Sequence, residues 1–126
     1  VSGYSLDANI LIDALRGHSP AHAEMLRIVE GGARMWISRI AWIEALSKGN
    51  EAVVRDAGRF LSRFGMDEVD EPIASRAAAL RRERTSLKSP DAIILATAQL
   101  RGRVLVTRNT KDFPATMPGI RVPYTL

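Results

Sequence analysis

The 126-residue chain has a formal net charge of +4 at pH 7, with 46% hydrophobic and 25% charged residues and no cysteine. That length suits one full core and is too short for two ordinary domains, so residues 1–126 are expected to form a single soluble globular unit. Disulfides and thiolate metal sites are excluded. No apolar run approaches the ~20 residues needed to cross a bilayer, and no basic segment followed by an apolar stretch opens the chain, so a cytoplasmic protein without a membrane partner is expected.

The predicted elements alternate. Tyr4-Ser5-Leu6 is a short strand running into Asp7, and Asn9 to Arg16 has helical spacing ended by Gly17. A second helix is predicted from Ser19-Pro20 to Gly31-Gly32, and Met35-Trp36-Ile37 reads as a strand. Ile40 to Leu46 is helical and apolar except at Glu44. Asn50 to Phe64 is amphipathic, with Val53, Val54, Ala57, Phe60, Leu61 and Phe64 on one side. Met66 to Val69 is a strand candidate interrupted by Asp67 and Glu68, and Pro72 to about Thr85 is helical with arginines on its polar face. Ser89-Pro90-Asp91 opens a helix so apolar that it must be buried, and Gly102 stops it. Val104-Leu105-Val106 is a core strand, Thr107 to Phe113 a loop, and Ile120-Arg121-Val122 an edge strand.

Strands separated by helices predict right-handed crossovers and a mostly parallel sheet of four to five strands with helices on both faces, an α/β chain of three layers. Ligands in such folds bind outside the carboxyl ends of the strands. Asp7 follows the first strand directly. Glu44 lies on the helix after the second, near its start, and Asp112 lies in the loop after Val104-Leu105-Val106. Asp91 begins the crossover helix leading into that strand, which puts it at the same edge. All four acids are predicted to converge.

Each acid also has an ordinary explanation: Asp7 as a helix cap, Glu44 on a solvated helix face, Asp91 stabilised by a helix dipole, Asp112 as a turn former. Only the set distinguishes them. Gathered carboxylates repel unless protonated or bridged by a divalent cation, and with oxygen the only abundant donor that cation is expected to be Mg²⁺ or Mn²⁺. His18 and His22 are spaced i, i+4 but lack the following Glu of a metalloprotease motif, so they read as surface positions on the second helix. Trp36 and Trp42 read as core fillers. No Gly-rich phosphate loop, serine elbow or cysteine nucleophile is present, which leaves covalent catalysis without a candidate. Between Arg76 and Lys111 basic residues outnumber Glu83, Asp91 and Asp112, either as a phosphate-attracting surface or as a solvated helix face.

Leu6-Asp7-Ala8-Asn9, Ile43-Glu44-Ala45-Leu46, Pro90-Asp91-Ala92-Ile93-Ile94-Leu95-Ala96-Thr97-Ala98 and Leu105-Val106-Thr107-Arg108-Asn109-Thr110-Lys111-Asp112-Phe113 together resemble the PIN-domain ribonucleases, and among them the VapC-like toxins of bacterial toxin–antitoxin pairs. The resemblance runs along the whole chain in order. It implies a PIN-like α/β/α fold and an Mg²⁺- or Mn²⁺-dependent endoribonuclease in which Asp7, Glu44, Asp91 and Asp112 form the catalytic and metal-binding quartet. Thr107 and Asn109 match polar positions that arrange the acids. Lys88, Arg108 and Lys111 are candidates for holding the phosphate chain. The implied partners are RNA, a second copy of the chain, and a VapB-like antitoxin whose tail covers the active site. Two departures are small: Ala45-Leu46 stands where a Leu often follows the Glu directly, and the chain starts at Val1 rather than Met, as expected of a trimmed start. Three rival readings remain: a non-catalytic RNA- or protein-binding module, a phosphoacceptor or phosphatase using Asp7 as nucleophile, and a nuclease directed at DNA.

Overall fold

A computed structural model describes residues 3–126, and Val1 and Ser2 of the expected unit lie outside the described residues. In chain order the elements are β1 (Tyr4–Leu6), α1 (Ala8–Leu15), α2 (Ser19–Glu30), β2 (Met35–Ser38), α3 (Arg39–Ala45), α4 (Glu51–Leu61), β3 (Gly65–Asp67), α5 (Glu71–Glu83), α6 (Ser89–Arg101), β4 (Val104–Val106) and β5 (Ile120–Arg121). The strands form one sheet in the order β3-β2-β1-β4-β5, with every pairing parallel. Helices cover both faces, giving the expected three-layer α/β/α architecture. Among the described residues no helix is long and apolar enough to cross a membrane.

The middle of the sheet is its driest part. Leu6, Ile37, Leu105 and Val106 are almost fully buried, and the apolar faces of α1, α2 and α6 close over them through Ile10, Leu11, Ile28 and Ile94. Helix starts follow local chemistry. Ser38 accepts a hydrogen bond from Ile40 N at α3, Asn50 from Val53 N at α4, and Asp70 from Ile73 N at α5. Helix α6 opens on Ser89-Pro90 and closes on Gly102 in the left-handed region at φ 66°.

Four expectations shift. The third strand is Gly65–Asp67 rather than Met66–Val69, because Trp36 on the neighbouring strand lies where any side chain at 65 would sit. Its acid is tolerated because Asp67, 6% exposed, is paired with Arg103 and approached by Arg101. Helix α4 ends at Leu61, three residues before Phe64, and of its apolar side Val53 remains 52% exposed while Ala57 and Leu61 are buried. Trp36 is no core filler: it is half-buried, with the Arg34 and Arg103 guanidinium groups 4.6 and 3.9 Å from its ring. Trp42 does pack partly against the core, beneath Arg39. His18 stands just before α2 rather than on it, half-buried with its ring 5.1 Å from that of Tyr124.

Candidate functional site

Strands β1 and β4 lie side by side in register, Leu6 opposite Val106, so the residues following them meet at the carboxyl edge of the sheet. Asp7 N donates to Val106 O at 2.9 Å, and Thr107 N donates to Arg121 O at 3.0 Å. The Asp7 side chain, 4% exposed, caps α1 by accepting from Ala8 N at 2.7 Å. Its other oxygen accepts from Thr107 Oγ1 at 2.7 Å and Asn9 Nδ2 at 3.2 Å. Capping and site membership are therefore compatible roles. Burial outweighs these hydrogen bonds and raises the Asp7 pKa above the ordinary carboxylate range.

Thr107 is the hinge of the arrangement. While its hydroxyl donates to Asp7, it accepts from Asn109 N at 3.0 Å and from Asn9 Nδ2 at 3.3 Å. Asn109 Nδ2 in turn donates to Asp112 Oδ2 at 3.0 Å, and Asp112 N donates to Asn109 Oδ1 at 3.3 Å. Phe113, fully buried, anchors the far end of this loop. Thr107 and Asn109 thus each hold one acid by a hydrogen bond, Thr107 to Asp7 and Asn109 to Asp112.

The other two acids approach from the helices. Glu44 is sixth in the seven-residue α3, at its end rather than near its start, because the helix makes fewer than two turns before Leu46 caps it. Burial raises the Glu44 pKa, and the charges of Asp7 and Asp91 raise it further. Asp91, in the first turn of α6, is pushed up to about 6 by burial and by the charges of Asp7 and Asp112, with Lys88 partly opposing. Asp7, Glu44, Asp91 and Asp112 are thereby one electrostatically coupled group. The links are pairwise: Glu44 with Asp7 and Asp91, and Asp91 with Asp7 and Asp112.

The donor set consists of oxygen and its negative charge is only partly offset by Lys88 and Arg108, which fits a hard divalent cation. As the side chains stand, no three His, Cys, Asp or Glu among the described residues are drawn close enough to enclose an ion. His18 and His22 take no part: His22 Nε2 contacts Ala14 O at 2.8 Å.

Lys88 and Lys111 are exposed near this edge, whereas the Arg108 guanidinium is held by Asp13 at 2.6 and 3.0 Å. Several arginines of the basic segment have intramolecular partners as well: Arg76 with Gln99 and Arg101 with Asp70 in exposed hydrogen bonds, Arg81 with Leu87 O in a half-buried one, and Arg103 with Asp67 through buried side chains. Sequence reasoning missed Asn9, which ties Asp7 to Thr107 and accepts from Arg108 N at 3.3 Å. It also missed Asp13, although an acid within Ile10-Leu11-Ile12-Asp13-Ala14 carries the same signal that singles out Glu44.

A PIN-domain family model matches residues 4–116. Comparison with curated protein sequences gives no match. Among solved structures the chain is similar to one in a toxin–antitoxin complex from Klebsiella pneumoniae, with 40% identity and a TM-score of 0.84 over 98% of this chain and 100% of that one. It is similar to a chain of DNA-bound VapBC from Salmonella typhimurium, with 29% identity and a TM-score of 0.74 over 96% of each. Likeness to VapBC2 from Rickettsia felis, bound to a promoter DNA fragment, is one of fold: 24% identity and a TM-score of 0.76 over 93% of this chain and 94% of that one. The chain belongs to the PIN-domain family. Within that family it is VapC-like.

Proposed function

We propose that this chain is a divalent-cation-dependent endoribonuclease, the toxin of a toxin–antitoxin pair, acting as one nuclease unit. What supports the reading is the set of acids linked around the carboxyl edge of the parallel sheet: Asp7 held by Thr107, Asp112 held by Asn109, and Glu44 and Asp91 feeling the charges of their neighbours in that set. Those four carboxylates would hold Mg²⁺ or Mn²⁺. When bound, such an ion supplies Lewis acidity and charge neutralisation at phosphoryl oxygens.

The chain's own residues do the rest. Thr107 and Asn9 fix one Asp7 oxygen and Asn109 fixes Asp112, so two corners of the site are set before substrate arrives. Lys88 and Lys111, exposed beside the acids, hold the phosphate chain. In-line attack by water on phosphorus breaks the P–O3′ bond and leaves a 5′-phosphate and, after protonation, a 3′-hydroxyl. The RNA 2′-hydroxyl takes no part, so preference for RNA arises from contacts and single-strand shape.

A cleft of about 430 Å³ between α1, α3 and α4, lined by Ile12, Leu15, Ala45, Val53 and Ala57, has Glu44 on its wall. The solved relatives from Klebsiella pneumoniae and Salmonella typhimurium are toxin–antitoxin and VapBC complexes. This cleft is our candidate surface for a VapB-like antitoxin, and the chain is proposed to pair with a second copy of itself. The test of the nuclease reading is digestion of total RNA, and of DNA in parallel, with Mn²⁺ and with or without EDTA, followed by mapping of the new ends. RNA cleavage that leaves 5′-phosphates and stops with EDTA supports it; cleavage indifferent to EDTA refutes it.

A further inference from the structure

Arg108 sits between the two residues that arrange the acids, yet its own side chain turns the other way. Its Nε lies 2.6 Å from Asp13 Oδ2 and its Nη2 3.0 Å from Asp13 Oδ1, a bidentate pair. Asp13 is 4% exposed on a helix face otherwise made of Ile10, Leu11 and Ala14. Tyr124, from the segment after β5, donates to Asp13 Oδ2 at 2.7 Å, and its ring rests against that of His18. Burial opposes the Asp13 charge, but Arg108 and Tyr124 outweigh it and hold its carboxyl below the ordinary value.

The alternative anion for this guanidinium is close. The Arg108 backbone N–H donates to Asn9 Oδ1, and Asn9 Nδ2 donates to Asp7 Oδ2, so Asp7 is two hydrogen bonds from the Arg108 backbone. Arg108 and Asp7 already feel each other's charge. A guanidinium released from Asp13 and turned towards Asp7 would bring a permanent cation to the acid that anchors the cluster. A guanidinium there would compete with a metal ion for the same carboxylate.

We propose that Asp13, braced by Tyr124, is a positioning residue that holds the Arg108 guanidinium away from Asp7 and thereby keeps the acidic cluster open to a cation. The proposal rests on the reading of that cluster as a cation site. It treats a buried ion pair as a restraint on a competitor rather than as a source of stability.

The test combines calorimetric Mn²⁺ binding with a crystal structure of the metal-free Asp13→Asn variant. Asp13→Asn is expected to weaken Mn²⁺ binding roughly tenfold, the usual scale for loss of a group supporting a metal site. Tyr124→Phe, a milder change that removes one hydrogen bond, is expected to weaken it about threefold. Adding Arg108→Gln to Asp13→Asn should restore binding to within about threefold of the unaltered chain, because the competitor is gone. A scaffolding role for Asp13 would also be relieved by removing the unpaired charge, so the guanidinium's position in the crystal separates the two. In the crystal the guanidinium should contact Asp7. A guanidinium still directed away from Asp7, or a double variant as weak as Asp13→Asn alone, overturns the proposal. If the unaltered chain binds no Mn²⁺, the cation reading itself fails, and the guanidinium's position in the crystal decides whether Asp13 restrains it.

Discussion

Asp91 carries the clearest consequence of crowding like charges. Its folded-state pKa of about 6 lies above the ordinary 3.8, so the folded chain keeps this proton longer than the unfolded chain does. Stability without metal therefore falls as pH rises from about 4 through about 6. Asp91→Asn removes the cost, and after allowance for the half-exposed position it should stabilise the metal-free protein by about 1 kcal/mol at pH 7.5 while abolishing RNA cleavage. Thermal melts across that pH range check it; a variant less stable than the unaltered chain at pH 7.5 contradicts it. Glu24 behaves in the opposite sense: burial is outweighed by Arg27 and Arg121, which hold its carboxyl at about 2. It serves the fold, and Glu24→Gln should leave cleavage intact.

At the scale of elements, the loop from Thr107 to Phe113 and the strand β3 show how local packing sets the site. Phe113 is fully buried one residue after Asp112, so Phe113→Ala should cost about 3–5 kcal/mol and loosen the acid as well. Chemical denaturation reads the first effect and Mn²⁺ affinity the second. Gly65→Ala forces a Cβ into the Trp36 ring and should destabilise by about 1–3 kcal/mol, with the loss reduced when Trp36→Leu accompanies it. The order of elements was legible in the sequence because capping residues and apolar periods are local signals: Ser89-Pro90 and Gly102 bracket α6, and Gly17 closes the turn after α1. Strand β3 was less legible, since Asp67 looks wrong for a buried strand until Arg103 is placed beside it from 36 residues away.

For the whole molecule, topology made the acidic cluster legible. Parallel strands and crossover helices predict Asp7, Asp91 and Asp112 at one edge, whereas Glu44, at the far end of α3, is linked to them only through the charges of Asp7 and Asp91. What stayed hidden depends on pairings across the chain: Tyr124 with Asp13, 111 residues apart, and the arginines that face inward to Asp67 and Asp13 rather than outward to phosphate. The proposed antitoxin surface has the same character, because the exposure of Val53 appears only once α4 packs through Ala57 and Leu61. Val53→Asp should weaken a toxin–antitoxin complex at least tenfold in a pull-down titration and leave cleavage by the free chain unchanged.

The central claim is that four carboxylates distant in sequence share one cation. Titrating Mn²⁺ into the metal-free chain under electron paramagnetic resonance, alongside Asp7→Asn, Glu44→Gln, Asp91→Asn and Asp112→Asn, tests it most directly. The account predicts tight binding to the unaltered chain and a loss of at least tenfold in each variant. Undiminished Mn²⁺ binding in any two of the four would contradict it.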